Sequence, residues 1–106
     1  MSITNTLLSN VAPTGIYLSA GPTAITTMYF CNLSASTLQV NVYLVPFLGG
    51  NNTPNWNNKV YSNLSIVSND TYTVTTERLL LDSGDMIYAD ASGDANVVAT
   101  ISSIGI

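Results

Sequence analysis

Leu38-Gln39-Val40-Asn41-Val42-Tyr43-Leu44-Val45 decides the fold class. Leu38, Val40, Val42 and Leu44 alternate with Gln39, Asn41 and Tyr43, a period of two that fits a half-buried strand and no helix. The same period recurs outward from this run. Val60, Leu64 and Ile66 share one predicted face, with Asn63 and Ser65 on the other. Tyr72 and Val74 alternate with Thr71, Thr73 and Thr75, and Val97, Ala99 and Ile101 alternate with Val98, Thr100 and Ser102. The run Ala24 to Asn32 is apolar on both faces, with Met28 and Phe30 set against Tyr29 and Cys31, which predicts a central strand covered on both sides. Met86 to Ala91 reads as a further strand. Thr4 to Leu8, Ile16 to Ser19 and Leu79 to Leu81 carry weaker strand patterns.

Turn chemistry separates these runs: Ala20-Gly21-Pro22, Asn32 to Thr37, Ser68-Asn69-Asp70, Asp82-Ser83-Gly84-Asp85 and Ser92-Gly93-Asp94-Ala95. Good helix formers are sparse, while β-branched and aromatic residues fill the ordered runs. Short strands at this spacing predict an all-β fold: one antiparallel β-sandwich of seven to nine strands, immunoglobulin-like or jelly-roll, spanning 1–106 as a single domain. No Cys-Trp-Cys signature marks an antibody-type domain. Residues 1–12 read equally as an arm and as a first strand. Residues 46–58 (Pro46 to Asn58) form a long loop, too polar for a strand, that carries Trp56, the single Trp of the chain.

Charge is the unusual feature. The 106 residues hold 2 basic and 6 acidic side chains and no His, for a net charge of −4. Ser, Thr and Asn number 12, 13 and 12. With no His and one Cys, a zinc or haem site of the ordinary kind, a Ser-His-Asp triad, a Cys-His pair and an internal disulfide are all excluded within one chain. Two cations cannot track a phosphate backbone, so no nucleic-acid partner is expected. No apolar window reaches 18 residues, so no membrane helix is expected. The first residues lack the basic and apolar regions of a secretory signal, so none is expected. A surface made polar by hydroxyls and amides suits a subunit covered by partners, because interface cores are depleted of charge.

Candidate sites weigh against plainer readings. Asp82, Asp85, Asp90 and Asp94 could offer oxygen ligands to Ca²⁺, but their spacing is not that of an EF-hand. Asp82, Asp85 and Asp94 read as turn residues, with Gly84 and Gly93 supplying positive φ. No metal or cofactor site is assigned. Asp70 and Glu77 are the remaining carboxylates for acid–base work, with no cleft-lining aromatics beside them, and no catalytic residue is assigned. Cys31 reads as a small buried hydrophobe. Asn32, Asn51, Asn63 and Asn69 open Asn-x-Ser/Thr triplets, which chance produces in such a composition. Trp56, with Asn55, Asn57 and Tyr61, could form a glycan platform, a protein anchor or a loop folded on itself. Thr-rich runs (Thr71, Thr73, Thr75, Thr76) make uncharged strands, which can pair with another chain at an edge. The candidate partner contacts are therefore Trp56, Asn55 and Asn57 in the loop, and Ile3, Leu7 and Leu8 near the start. Ile104-Gly105-Ile106 is too apolar for a free tail.

From about Ile16 to Ile104 the chain resembles small β-sandwich virion proteins of tailed bacteriophages. The resemblance lies in an ordered series. A strand ending Cys31-Asn32-Leu33-Ser34 precedes the strand Leu38 to Val45. After a polar loop come a strand ending Ile66-Val67-Ser68-Asn69-Asp70-Thr71, the segment Leu79 to Ala89 with its Leu81 to Ile87 turn, and the strand Val97 to Ser102. The loop Pro46 to Asn58 looks like an insertion. The resemblance implies a non-enzymatic, cofactor-free structural protein sited on a virion assembled in the host cytoplasm. It implies a homo-oligomer, dimer or trimer, bound to the major capsid protein or another virion protein. The first function it implies is capsid decoration, a cement protein stabilising the head. Tail- or fibre-associated modules and a carbohydrate-binding module are the alternatives.

Overall fold

The computed structural model describes residues 2–46, 58–74, 79–93 and 96–105. Nine strands follow one another: β1 (Ser2–Leu7), β2 (Thr14–Leu18), β3 (Thr23–Asn32), β4 (Leu38–Val45), β5 (Lys59–Ile66), β6 (Thr71–Val74), β7 (Leu79–Leu81), β8 (Met86–Ala91) and β9 (Val97–Gly105). They form two antiparallel sheets packed face to face, an all-β sandwich. The four-stranded sheet runs β2-β8-β4-β5. The five-stranded sheet runs β1-β9-β3-β6, with β7 also on β3.

The pairing decides between the two sandwich types. β1 pairs β9, β2 pairs β8, β3 pairs β6 and β7, and β4 pairs β5. The chain is thus doubled back between β4 and β5 and wound so that successive ribbons fall in opposite sheets, which is the jelly-roll arrangement. β6 faces Met28 to Cys31 and β7 faces Thr23 to Ile25, so the two together flank one side of β3. The N-terminal residues Ser2 to Leu7 form the first strand of the chain's own sheet.

The inward positions of both sheets form the core. Ile25, Met28 and Phe30 of β3, Val97, Ala99 and Ile101 of β9, Val40 and Val42 of β4, and Ile87, Ala89 and Ala91 of β8 are buried together. Alternation of period two delivers each of them to the inside. Asn32 is a buried polar residue among them. Its Nδ2 donates to the Ile66 and Ser36 carbonyls, both at 2.9 Å, and its Oδ1 accepts from the Ser34 N–H at 2.9 Å and the Ser34 hydroxyl at 2.8 Å. All its polar capacity is used, so the residue can tie the end of β3 to the end of β5 in the opposite sheet. A fully buried amide is also no acceptor for a glycan, which removes Asn32 from the glycosylation triplets.

Three local expectations change. β3 is central in its sheet but covered on one face only, because Tyr29 is 41% exposed and Cys31 half-buried. Val60 does not share a face with Leu64 and Ile66. On β5, the four residues from Tyr61 to Leu64 face the three from Val42 to Val40, with Asn63 at φ of 56°, and the register shifts again between Tyr61 and Lys59. Tyr61 thereby packs against the core, while Val60 is 49% exposed. Gly84 has the expected positive φ, 91°, but Gly93 has none. Gly93 is instead a close approach, since a Cβ there would lie 3.0 Å from both methyl groups of Leu38.

Candidate functional site

Residues opposite one another in an antiparallel pair project to the same face, so the register defines the outer face of the five-stranded sheet. One row across it is Leu7, Val98, Cys31 and Thr71, and the next is Asn5, Thr100, Tyr29 and Thr73. Then come Ile3, Ser102 and Thr27, and finally Ile104, Ala24 and Leu80. No member of these rows is acidic or basic. Ile3 is 68% exposed, Leu7 51%, Leu80 70% and Ile104 42%. The polar members bond to one another: the Thr100 hydroxyl donates to Asn5 Oδ1 at 2.9 Å, and Thr26, beside the face at a bulge in β3, donates to Ser102. The outer face of an antiparallel sheet in water normally carries polar side chains. Here aliphatic and aromatic side chains stand among hydroxyls, a composition typical of the buried centre of a protein interface.

The described charges lie elsewhere. Asp82 and Asp85 cap their own turn: the Asp82 N–H donates to Asp85 Oδ2 at 3.0 Å, and the Asp85 N–H to the Asp82 carbonyl at 3.1 Å. Asp70 sits in the turn before β6, where its Oδ1 accepts from the Thr71 N–H. Among the described residues no group of three His, Cys, Asp or Glu is placed to hold a metal. Asp94 and Glu77 lie outside the described residues, so the Asp70 and Glu77 pair is not described.

Lys59 and Asp90 are on the outer face of the four-stranded sheet, in a network that spans three strands. Asp90 of β8 accepts from Asn41 Nδ2 at 2.7 Å and from the Tyr43 hydroxyl at 3.0 Å, both on β4. Asn41 Oδ1 accepts from the N–H of Asn63, which steadies the β5 bulge. Lys59 Nζ lies 5.6 Å from the centre of the Tyr43 ring, within cation–π range. Burial, followed by the hydrogen bond to the Asp90 carboxylate, pushes the Tyr43 hydroxyl above its usual pKa of 10.0. Both carboxylate oxygens are engaged, so the network reads as a lock across the sheet.

A cavity of about 150 Å³ opens between the sheets, lined by Met28, Leu44, Val60, Tyr61, Val74 and Leu79. Its lining, apolar apart from the phenol of Tyr61, lacks the convergent polar groups that orient a sugar or a reacting substrate.

Of the sequence-derived contact residues, Ile3 and Leu7 lie on the outer face of the five-stranded sheet. Leu8 does not join them. It is 1% exposed, within the core, and its N–H donates to the Val97 carbonyl at 2.9 Å. Asn55, Trp56 and Asn57 lie outside the described residues, and with them the glycan platform. Ile104, read from the sequence only as part of a tail too apolar to be free, joins Ile3 and Leu7 on that face, whereas Tyr29 and Leu80 were not singled out as contacts, although a signal existed for Leu80. In three consecutive leucines (Leu79 to Leu81) forming a strand, one must point away from the core.

No protein-family model matches the chain, and no curated protein and no solved structure matches it.

Proposed function

We propose that this chain is a non-enzymatic structural protein of a bacteriophage virion, a decoration protein that binds the assembled head through the outer face of its five-stranded sheet. The observation that carries the reading is that face: rows of side chains without a charge, with Ile3, Leu7, Tyr29, Leu80 and Ile104 exposed on it. Left in water, such a surface invites association. Covered by a neighbour, it contributes apolar contact without stranding a buried charge. The sequence resemblance supplies the setting, a virion, and the partner, the major capsid protein. Binding the closed shell but not its free subunits stabilises the shell by mass action, and needs no reacting group.

The test is the chain's abundance in particles. Quantitative mass spectrometry of purified virions is expected to find it in copy number comparable to the shell subunit, and heads lacking it should open at lower temperature. Its absence from particles purified to constant density would overturn the proposal. A handful of copies per particle would overturn decoration and move the chain to the tail.

A further inference from the structure

Ile3-Thr4-Asn5-Thr6-Leu7 reads the same in both directions: aliphatic, Thr, Asn, Thr, aliphatic. This segment is β1, the terminal strand of the five-stranded sheet, and among the described residues it pairs with β9 alone. Its register with β9 is continuous from Ser2 to Leu7, so no bulge twists it away from a further strand. The free side can be identified. Leu8 donates its N–H to the Val97 carbonyl at 2.9 Å, and in an antiparallel ladder alternate residues turn to the same neighbour. Thr4 and Thr6 therefore direct their backbone groups at β9. Ile3, Asn5 and Leu7 direct theirs at the open edge.

We infer that β1 is a self-pairing edge: two copies of this chain join antiparallel through β1, with a two-fold axis at Asn5. The open-edge residues then face each other, Ile3 against Leu7 of the second copy and Asn5 against Asn5. Each pair exchanges two backbone hydrogen bonds, about six in all. A palindromic row suits an isologous contact, in which each patch must complement itself. Charge permits it as well. Two copies of a chain with net charge −4 repel wherever their charges meet, but β1 and the described outer face beside it carry none. The described charges sit in turns or on the other sheet. The joined sheets present one continuous neutral face. This inference does not depend on the identity of the larger assembly.

The experiment uses the full chain in native mass spectrometry and sedimentation, together with a cross-link that reads the register. Directly opposed residues of a hydrogen-bonded antiparallel pair have Cα atoms about 5.5 Å apart, within disulfide reach. In a Cys31→Ser background, Asn5→Cys is expected to form an intermolecular disulfide on mild oxidation. Leu7→Cys, which faces Ile3 and not its own copy, should not. The unmodified chain is expected at twice its 11.2 kDa mass. Ile3→Lys with Leu7→Lys, both exposed positions, should weaken dimerisation at least tenfold with an unchanged circular dichroism spectrum. A chain that stays monomeric up to about 1 mM, the range of the weakest useful contacts, overturns the inference. So does a dimer that survives the double Lys substitution, or one that cross-links through Leu7→Cys and not Asn5→Cys. Particle binding is read separately, so loss of the dimer and loss of head association are distinguishable.

Discussion

Replacing Asn32 with Ala removes the amide that joins the two sheets at one end of the sandwich. The native side chain makes four hydrogen bonds, two donated by Nδ2 and two accepted by Oδ1. The bond to the Ile66 carbonyl is buried. Losing it strands a desolvated acceptor, at about 1–3 kcal/mol. The bonds to Ser34 and Ser36 are only partly buried, so water can replace them, and their loss adds about 1 kcal/mol in total. The sum is about 2–4 kcal/mol against a domain stability of about 5–15 kcal/mol, or a fall in Tm of about 10–20 °C for a chain of this size. Urea denaturation and calorimetry measure it. Asn32→Asp is the sharper variant. It keeps the acceptor for Ser34 but turns the donor into an oxygen facing two carbonyls. Its folded-state pKa should rise above the unfolded value of about 3.9. Stability is then greatest below that value and is lost as pH rises through the folded pKa. Asn32→Ala within about 0.5 kcal/mol of the native chain, the range of an ordinary surface change, would refute the role given to this residue.

Phe30→Ala empties the largest fully buried side-chain position among the described residues and should cost about 3–5 kcal/mol in urea denaturation. Gly84→Ala forces a side chain into φ of 91° and should cost about 1–2 kcal/mol by the same assay. Tyr43 has a folded pKa raised above 10.0, so its contribution to stability is complete below pH 10 and is lost as pH rises through the folded value. Tyr43→Phe should therefore show a shallower loss of stability above pH 10 than the native chain, and an identical slope would contradict the assignment. Leu80→Lys, on a side chain that is 70% exposed, should leave stability within about 0.5 kcal/mol but abolish association with heads in a sedimentation assay.

Much of the architecture was legible because period two is a direct consequence of the pleat. Leu38 to Val45 was bounded to the residue, and all nine runs correspond to strands. Topology was not legible, since alternation says which face is buried and nothing about which strand lies beside which. The failures have local causes. Asn63 can adopt a left-handed conformation at little cost, so the bulge at β5 left only an ambiguous Asn-Leu-Ser in the sequence. Asn32 looked like a turn residue, because burial of an amide depends on carbonyls 4 and 34 positions away in sequence. The apolar double face of β3 was read as cover on both sides. The structure gives that cover on one side, and the other side became the candidate surface. Ile3 and Leu7 were reachable from the start of the chain, while Leu8 was separated from them only by where β1 ends.

A reconstruction of the virion at side-chain resolution shows directly which sheet meets the head. Decoration through the five-stranded sheet requires many copies on the head, each with Tyr29 and Leu80 against a neighbouring chain and with Lys59 and Asp90 facing solvent. Copies bound through the Lys59 and Asp90 face, with Tyr29 and Leu80 left in water, would contradict it.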